Sequence, residues 1–74
     1  MKIKNLPKIT NVDGIKVYRN NELVAEQWVG CYPLVWYFQE EPQLKAFLDC
    51  EVEELNMEIV SSYDYCIVCE IYLK

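Results

Sequence analysis

Ile15-Lys16-Val17-Tyr18-Arg19-Asn20-Asn21-Glu22-Leu23-Val24 is the stretch on which the fold turns. β-Branched and aromatic residues flank a double asparagine, and asparagine tolerates the positive φ that a tight turn requires. With Asn20 and Asn21 as the loop, Arg19 faces Glu22, Tyr18 faces Leu23 and Val17 faces Val24. Ile15, Val17, Val24 and Trp28 then share one face of the ribbon, and Tyr18, Leu23 and Ala25 share the other. This predicts a β-hairpin over residues 14–30.

Upstream, residues 1–13 carry little pattern. Ile3, Leu6 and Ile9 suit an arm or edge strand that packs down on the domain. Downstream, Gly30 and Pro33 interrupt the strand. Residues 34–40 (Leu34-Val35-Trp36-Tyr37-Phe38-Gln39-Glu40) are strand-forming by type, but the preceding proline suits the first turn of a helix. A helix is expected there, stopping near Glu41 because Pro42 disfavours αR at the residue before it. A second helix is expected from Pro42, with Leu44, Phe47, Leu48 and Val52 as one apolar stripe. Residues 33–51 thus form a helical segment.

From Val52 the period changes to two. Leu55, Met57 and Ile59 alternate with Glu54, Asn56 and Glu58, giving a half-buried strand with a carboxylate-bearing outer face. Ser61-Ser62-Tyr63-Asp64 is expected to turn the chain. Cys66–Leu73 returns with Ile67, Cys69, Ile71 and Leu73 on one face and Val68, Glu70 and Tyr72 on the other. Residues 52–74 are therefore a second hairpin. The expected fold is a single α+β domain over residues 1–74: hairpin, helical segment, hairpin, giving a four-stranded antiparallel sheet with one or two short helices on one face. The second face would show Tyr18, Leu23, Val29, Val68 and Tyr72, an apolar patch of the kind that marks an interface.

Composition narrows the functional classes. The 74 residues include no histidine and a single arginine, and both glycines, Gly14 and Gly30, are isolated. Imidazole chemistry, an arginine phosphate clamp and a glycine-rich phosphate loop are therefore absent, and no catalytic constellation is legible. The expectation is a protein that is not an enzyme and carries no cofactor or resident metal. The four cysteines are Cys31, Cys50, Cys66 and Cys69. Cys66 and Cys69 lie three apart within a strand pattern, so they point to opposite faces and cannot chelate one ion. Free structural thiols are the expected state, with a cysteine-based zinc module as the alternative.

The net charge is −5 and is unevenly spread: residues 1–30 carry +2 and residues 31–74 carry −7. An acidic chain repels phosphate, so direct nucleic-acid binding is disfavoured and a basic protein is the favoured partner. Glu51, Glu53, Glu54, Glu58 and Asp64 are the acidic contact candidates. Carboxylates two apart on a strand lie ~6.6 Å apart, close to two phosphate steps of ~3.4 Å. Trp28, Tyr32, Trp36, Tyr37 and Phe38 crowd into eleven residues, too many rings to bury together. Trp28, Trp36 and Phe38 are expected inward. Tyr32 and Tyr37, with Tyr18, Leu23, Val68 and Tyr72, are the interface candidates.

No stretch is long enough to span a bilayer and the basic N-terminus lacks a following apolar run, so a cytoplasmic location is expected. In size, charge and aromatic content the chain is similar to small acidic proteins of phages and mobile elements that occupy host nucleic-acid-handling machinery. The implied function is an acidic, homodimeric, protein-binding inhibitor of a basic nucleic-acid-binding effector. The alternative is a small structural subunit held in a larger assembly by apolar contacts.

Overall fold

The computed structural model describes residues 1–6, 11–61 and 66–74, with the backbone alone at positions 60 and 61. A 3-10 turn at Ile3–Asn5 precedes strands β1 (Asn11–Arg19) and β2 (Glu22–Pro33). Helices α1 (Leu34–Glu40) and α2 (Pro42–Lys45) follow, then strands β3 (Val52–Ser61) and β4 (Cys66–Leu73). The α+β class and two short helices are as the patterning implies. The expected turn at 61–64 falls largely outside the described residues, as do Ile9 and Asp64.

The sheet order is β2-β1-β4-β3. Each hairpin is antiparallel internally, but β1 and β4 pair in parallel, so the sheet is mixed and the expectation of an antiparallel sheet is corrected. The reason lies in the helical segment. Tyr37 of α1 binds the backbone at Val12 and Gly30, near the start of β1. By residues 47–51 the chain has reached the opposite end of the sheet. There the Arg19 guanidinium lies over the Phe47 ring and Lys74 N–H donates to the Glu51 carbonyl. β3 therefore starts at the far end from where β2 stopped, runs back, and leaves β4 alongside β1 in the same direction.

The first hairpin keeps its turn and loses its register. Asn20 and Asn21 both have positive φ, at 53° and 64°, the geometry of a two-residue turn that follows strand twist. Arg19 faces Glu22 and Tyr18 faces Leu23, but Val17 faces Ala25, leaving Val24 as an extra, exposed residue. One inserted residue reverses the faces of everything beyond it. Trp28 is consequently not inward: it lies opposite Gly14, on the face away from the helices, with 44% of its surface exposed.

The core lies between the sheet and the helices. Ile15 and Val17 of β1 and Cys69, Ile71 and Leu73 of β4 meet Leu34, Tyr37, Phe38 and Leu44, with Ile3 and Leu6 closing the end. The arm packs on this side. Ile3 N–H donates to the Cys50 carbonyl and Lys4 N–H to the Leu48 carbonyl, while Lys4 Nζ meets Asp49 at 2.8 Å. Its first six residues thus lie against the helical segment and the core rather than on the second sheet face. The arm is shorter than expected, because residues 11–13 already belong to β1.

Candidate binding face

β1 and β4 are the interior strands, and the residues that alternate with their core positions project from the opposite side. In register these are Gly14 beside Val68, Lys16 beside Glu70, and Tyr18 beside Tyr72. β2 adds Trp28 opposite Gly14 and Glu26 opposite Lys16. β3 adds Glu54 opposite Tyr72, Asn56 opposite Glu70 and Glu58 opposite Val68. Every strand contributes, so the face is continuous across the sheet.

Its centre is aromatic. Tyr18 and Tyr72 stack with ring centroids 4.9 Å apart and planes 13° from parallel. Parallel neighbours at one register level hold their side chains near the strand spacing of about 4.8 Å, so the stack follows from the backbone. Trp28 occupies a second position, made by the absence of a side chain. A Cβ on Gly14 would come within 2.5 Å of the indole carbon Cε3, so only glycine admits the ring there. The indole Nε1–H donates to Glu26 Oε1 at 2.6 Å, which fixes both side chains.

The charge on this face is one-sided. Among the described residues in register on this face, Glu26, Glu54, Glu58 and Glu70 stand against Lys16, with Lys74 at the edge of the cleft. Burial, then the charge of Glu70 and a hydrogen bond to it, push the Tyr18 hydroxyl above its ordinary value. Tyr72 is raised by partial desolvation, then by Glu70, Tyr18 and Glu54. Both hydroxyls stay protonated and can donate. At the hairpin end the face dips into a cleft of about 270 Å³, bounded by Tyr18, Tyr72, Glu53, Glu54, Leu73, Lys74 and the Asn20–Asn21 turn. Rings flanked by carboxylates suit a guanidinium or ammonium group, through cation–π attraction and charge-assisted hydrogen bonds together.

The candidates read from sequence divide. Tyr18, Tyr72, Glu54 and Glu58 meet on this face, and Glu53 lines its cleft. Glu51 does not join them: it binds the N-terminal ammonium at 2.9 Å, which holds its carboxyl below the usual range. Leu23 is exposed near the hairpin tip. Val68 lies on the face but is fully buried, and so offers no contact surface.

Tyr37 is corrected outright. It is fully buried, its hydroxyl meeting the Val12 carbonyl at 3.0 Å and the Gly30 carbonyl while accepting from Gly30 N–H at 3.2 Å. Tyr32 remains exposed and stacks on the half-buried Trp36 at 4.0 Å. Glu26 and Trp28 are the residues sequence reasoning left off the face. Glu70 was placed on it, in phase with Tyr72, but not counted among the acidic contact candidates. Glu26 and Trp28 were hidden by the bulge at Val24.

Cys66 and Cys69 both lie in β4, and Cys69 is buried. Among the described residues no group of three or more Cys, Asp or Glu side chains is placed to hold a metal ion. No helix of the described residues is long and apolar enough to cross a membrane. The chain matches no family model, and comparison with curated proteins and with solved structures returned no match.

Proposed function

We propose that the chain is a non-enzymatic, acidic protein-binding module whose open sheet face receives the Lys/Arg-rich surface of a nucleic-acid-binding protein, in the cytoplasm, and so competes with nucleic acid for it. The observation that carries this reading is the stacked Tyr18–Tyr72 pair set among Glu26, Glu54, Glu58 and Glu70. An Arg side chain laid over the rings would meet a carboxylate on either flank, and Trp28 supplies a further ring on the same face.

The reading is tested with an arginine-rich peptide and a labelled DNA duplex. The chain is expected to bind the peptide, to weaken steeply as salt rises, and to release the duplex from a preformed peptide–duplex complex. The Glu54→Lys/Glu58→Lys variant should bind at least about tenfold more weakly, a loss of roughly 1.4 kcal/mol. Unchanged affinity after that double reversal rules the reading out.

A second reading, a subunit held in an assembly by apolar contacts, draws on a different surface. Met57 and Ile59 on β3 remain 42% and 62% exposed on the side of the sheet that carries the helices.

A further inference from the structure

The helices do not cover the whole of their face. α1 packs on β1, β2 and the 3-10 turn, which leaves the β3 half of that side open. There Leu55, Met57 and Ile59 stand in register with Ile71, Cys69 and Ile67, forming an apolar row at the rim of the sheet. β3 is an edge strand. At its start the outward Val52 N–H donates to the Met1 carbonyl at 2.8 Å, and from Glu54 to Ile59 no strand of the described residues lies beside its outer side.

Edges in monomeric sheets are commonly blunted by lysine, proline, bulges or short length. β3 runs for ten residues with neither Lys nor Pro, and its pairing with β4 is regular from Glu54 to Ile59. The other edge, β2, differs. Both edge pairings carry two register shifts, but those of β3 flank the regular stretch Glu54–Ile59, whereas those of β2 leave only Ala25–Trp28 regular. β2 also contains Gly30 at a φ of 144° and ends in Pro33.

We propose that the β3 edge is a self-association site: two copies pair their β3 strands antiparallel about a two-fold axis at Met57, forming one continuous eight-stranded sheet. The occupant is identified by the charge pattern of the strand. Antiparallel self-pairing keeps like faces together only in registers that shift by two residues. Centring on Asn56 sets Glu54 of each copy directly opposite Glu58 of the other. Centring on Glu58 sets Glu58 against itself. Like charges opposed across strands are destabilising.

Centring on Leu55 avoids such contacts but would lay the partner's Glu58 beside Val52, whose outward N–H is already taken by the Met1 carbonyl. Centring on Met57 avoids both conflicts. Met57 meets its own copy, Leu55 meets Ile59, and Asn56 meets Glu58, an amide that can donate to a carboxylate. The apolar rows of the two copies then abut on the helix side. The open face is a poorer site for a second copy, because it would press four carboxylates per chain against the same four. In the paired arrangement the two acidic faces instead lie side by side on one surface. A contact confined to one pair of strands is small, so the dimer is expected at micromolar or higher protein concentration.

Sedimentation of the full chain across micromolar to millimolar concentrations tests this. The wild type should move reversibly from monomer to dimer, and Met57→Lys, which sets two ammonium groups against each other at the axis, should remain monomeric with an unchanged circular dichroism spectrum. Asn56→Lys serves as the register test and alters only a solvent-facing position. It sets Lys opposite Glu58 twice and should tighten the dimer about two- to tenfold at low salt. A wild type that stays monomeric, a dimer that survives Met57→Lys, or a dimer unchanged or weakened by Asn56→Lys overturns the proposal.

Discussion

The two faces of the sheet are built from alternate residues of the same strands and have opposite chemistry. On the helix side, Ile15, Val17, Cys69 and Ile71 are fully buried against Tyr37, Phe38 and Leu44. No buried side-chain oxygen or nitrogen among the described residues lacks a hydrogen-bond partner there or elsewhere. On the other side, rings and carboxylates face solvent around the Tyr18–Tyr72 stack. The lesson is a division of labour. Burial on one side supplies the stability of a small domain, which frees the other side to carry charges and rings that contribute little to folding.

That division can be broken most forcefully at Phe38. Phe38→Ala removes a fully buried ring from the helix side and should cost about 3–5 kcal/mol by urea unfolding, enough to unfold a domain of this size at physiological temperature. Tyr37→Phe keeps the ring and deletes only the hydroxyl that ties α1 to the Val12 and Gly30 backbone. Leaving those groups without a partner should cost about 1–3 kcal/mol. A smaller effect would mean that the hydroxyl does not hold the helix to the sheet.

The helix side also sets the pH response. Burial pushes the Cys69 thiol up from 9.0 to about 12, and it raises Tyr37 as well. Both groups are neutral when protonated, so the folded state holds protons that the unfolded chain releases first. Their contribution is complete below pH 9 and fades as the pH climbs from 9 towards 12. Unfolding free energy should therefore fall across that window, with a shallower slope in Cys69→Ala. Equal slopes would show that the thiol is not desolvated.

The smallest effect on stability is expected on the open face. Tyr72→Leu should unfold at nearly the wild-type denaturant midpoint while losing affinity for an arginine-rich peptide. A large loss of stability with binding intact would erase the contrast between the faces.

Much of this was readable from the chain. The Asn20–Asn21 turn, the strand at 66–73 and the apolar row Leu55, Met57 and Ile59 follow from turn chemistry and a period of two, which are local properties. The interior place of β4 was not readable, since only Val68 is buried on its outer face, beside Glu70 and Tyr72, while Cys69, Ile71 and Leu73 all serve the core side. The bulge at Val24 was not readable. Val and Ala suit either face of a half-buried strand, and only the fit of Trp28 onto Gly14 distinguishes the two registers. Tyr37 was misplaced because a tyrosine in a crowded aromatic run suits surface and core equally until its hydroxyl finds a partner.

The sequence by itself determined the elements and which side chains alternate, because turn conformation and hydrophobic period act over a few neighbouring residues. The tertiary structure alone decided how the hairpins dock. Parallel or antiparallel pairing of β1 with β4 satisfies the same apolar pattern, and the choice depends on how far residues 34–51 travel across the sheet before β3 begins. That path assembles Tyr18, Tyr72 and four glutamates from all four strands into one face, a grouping that no local stretch of the chain contains.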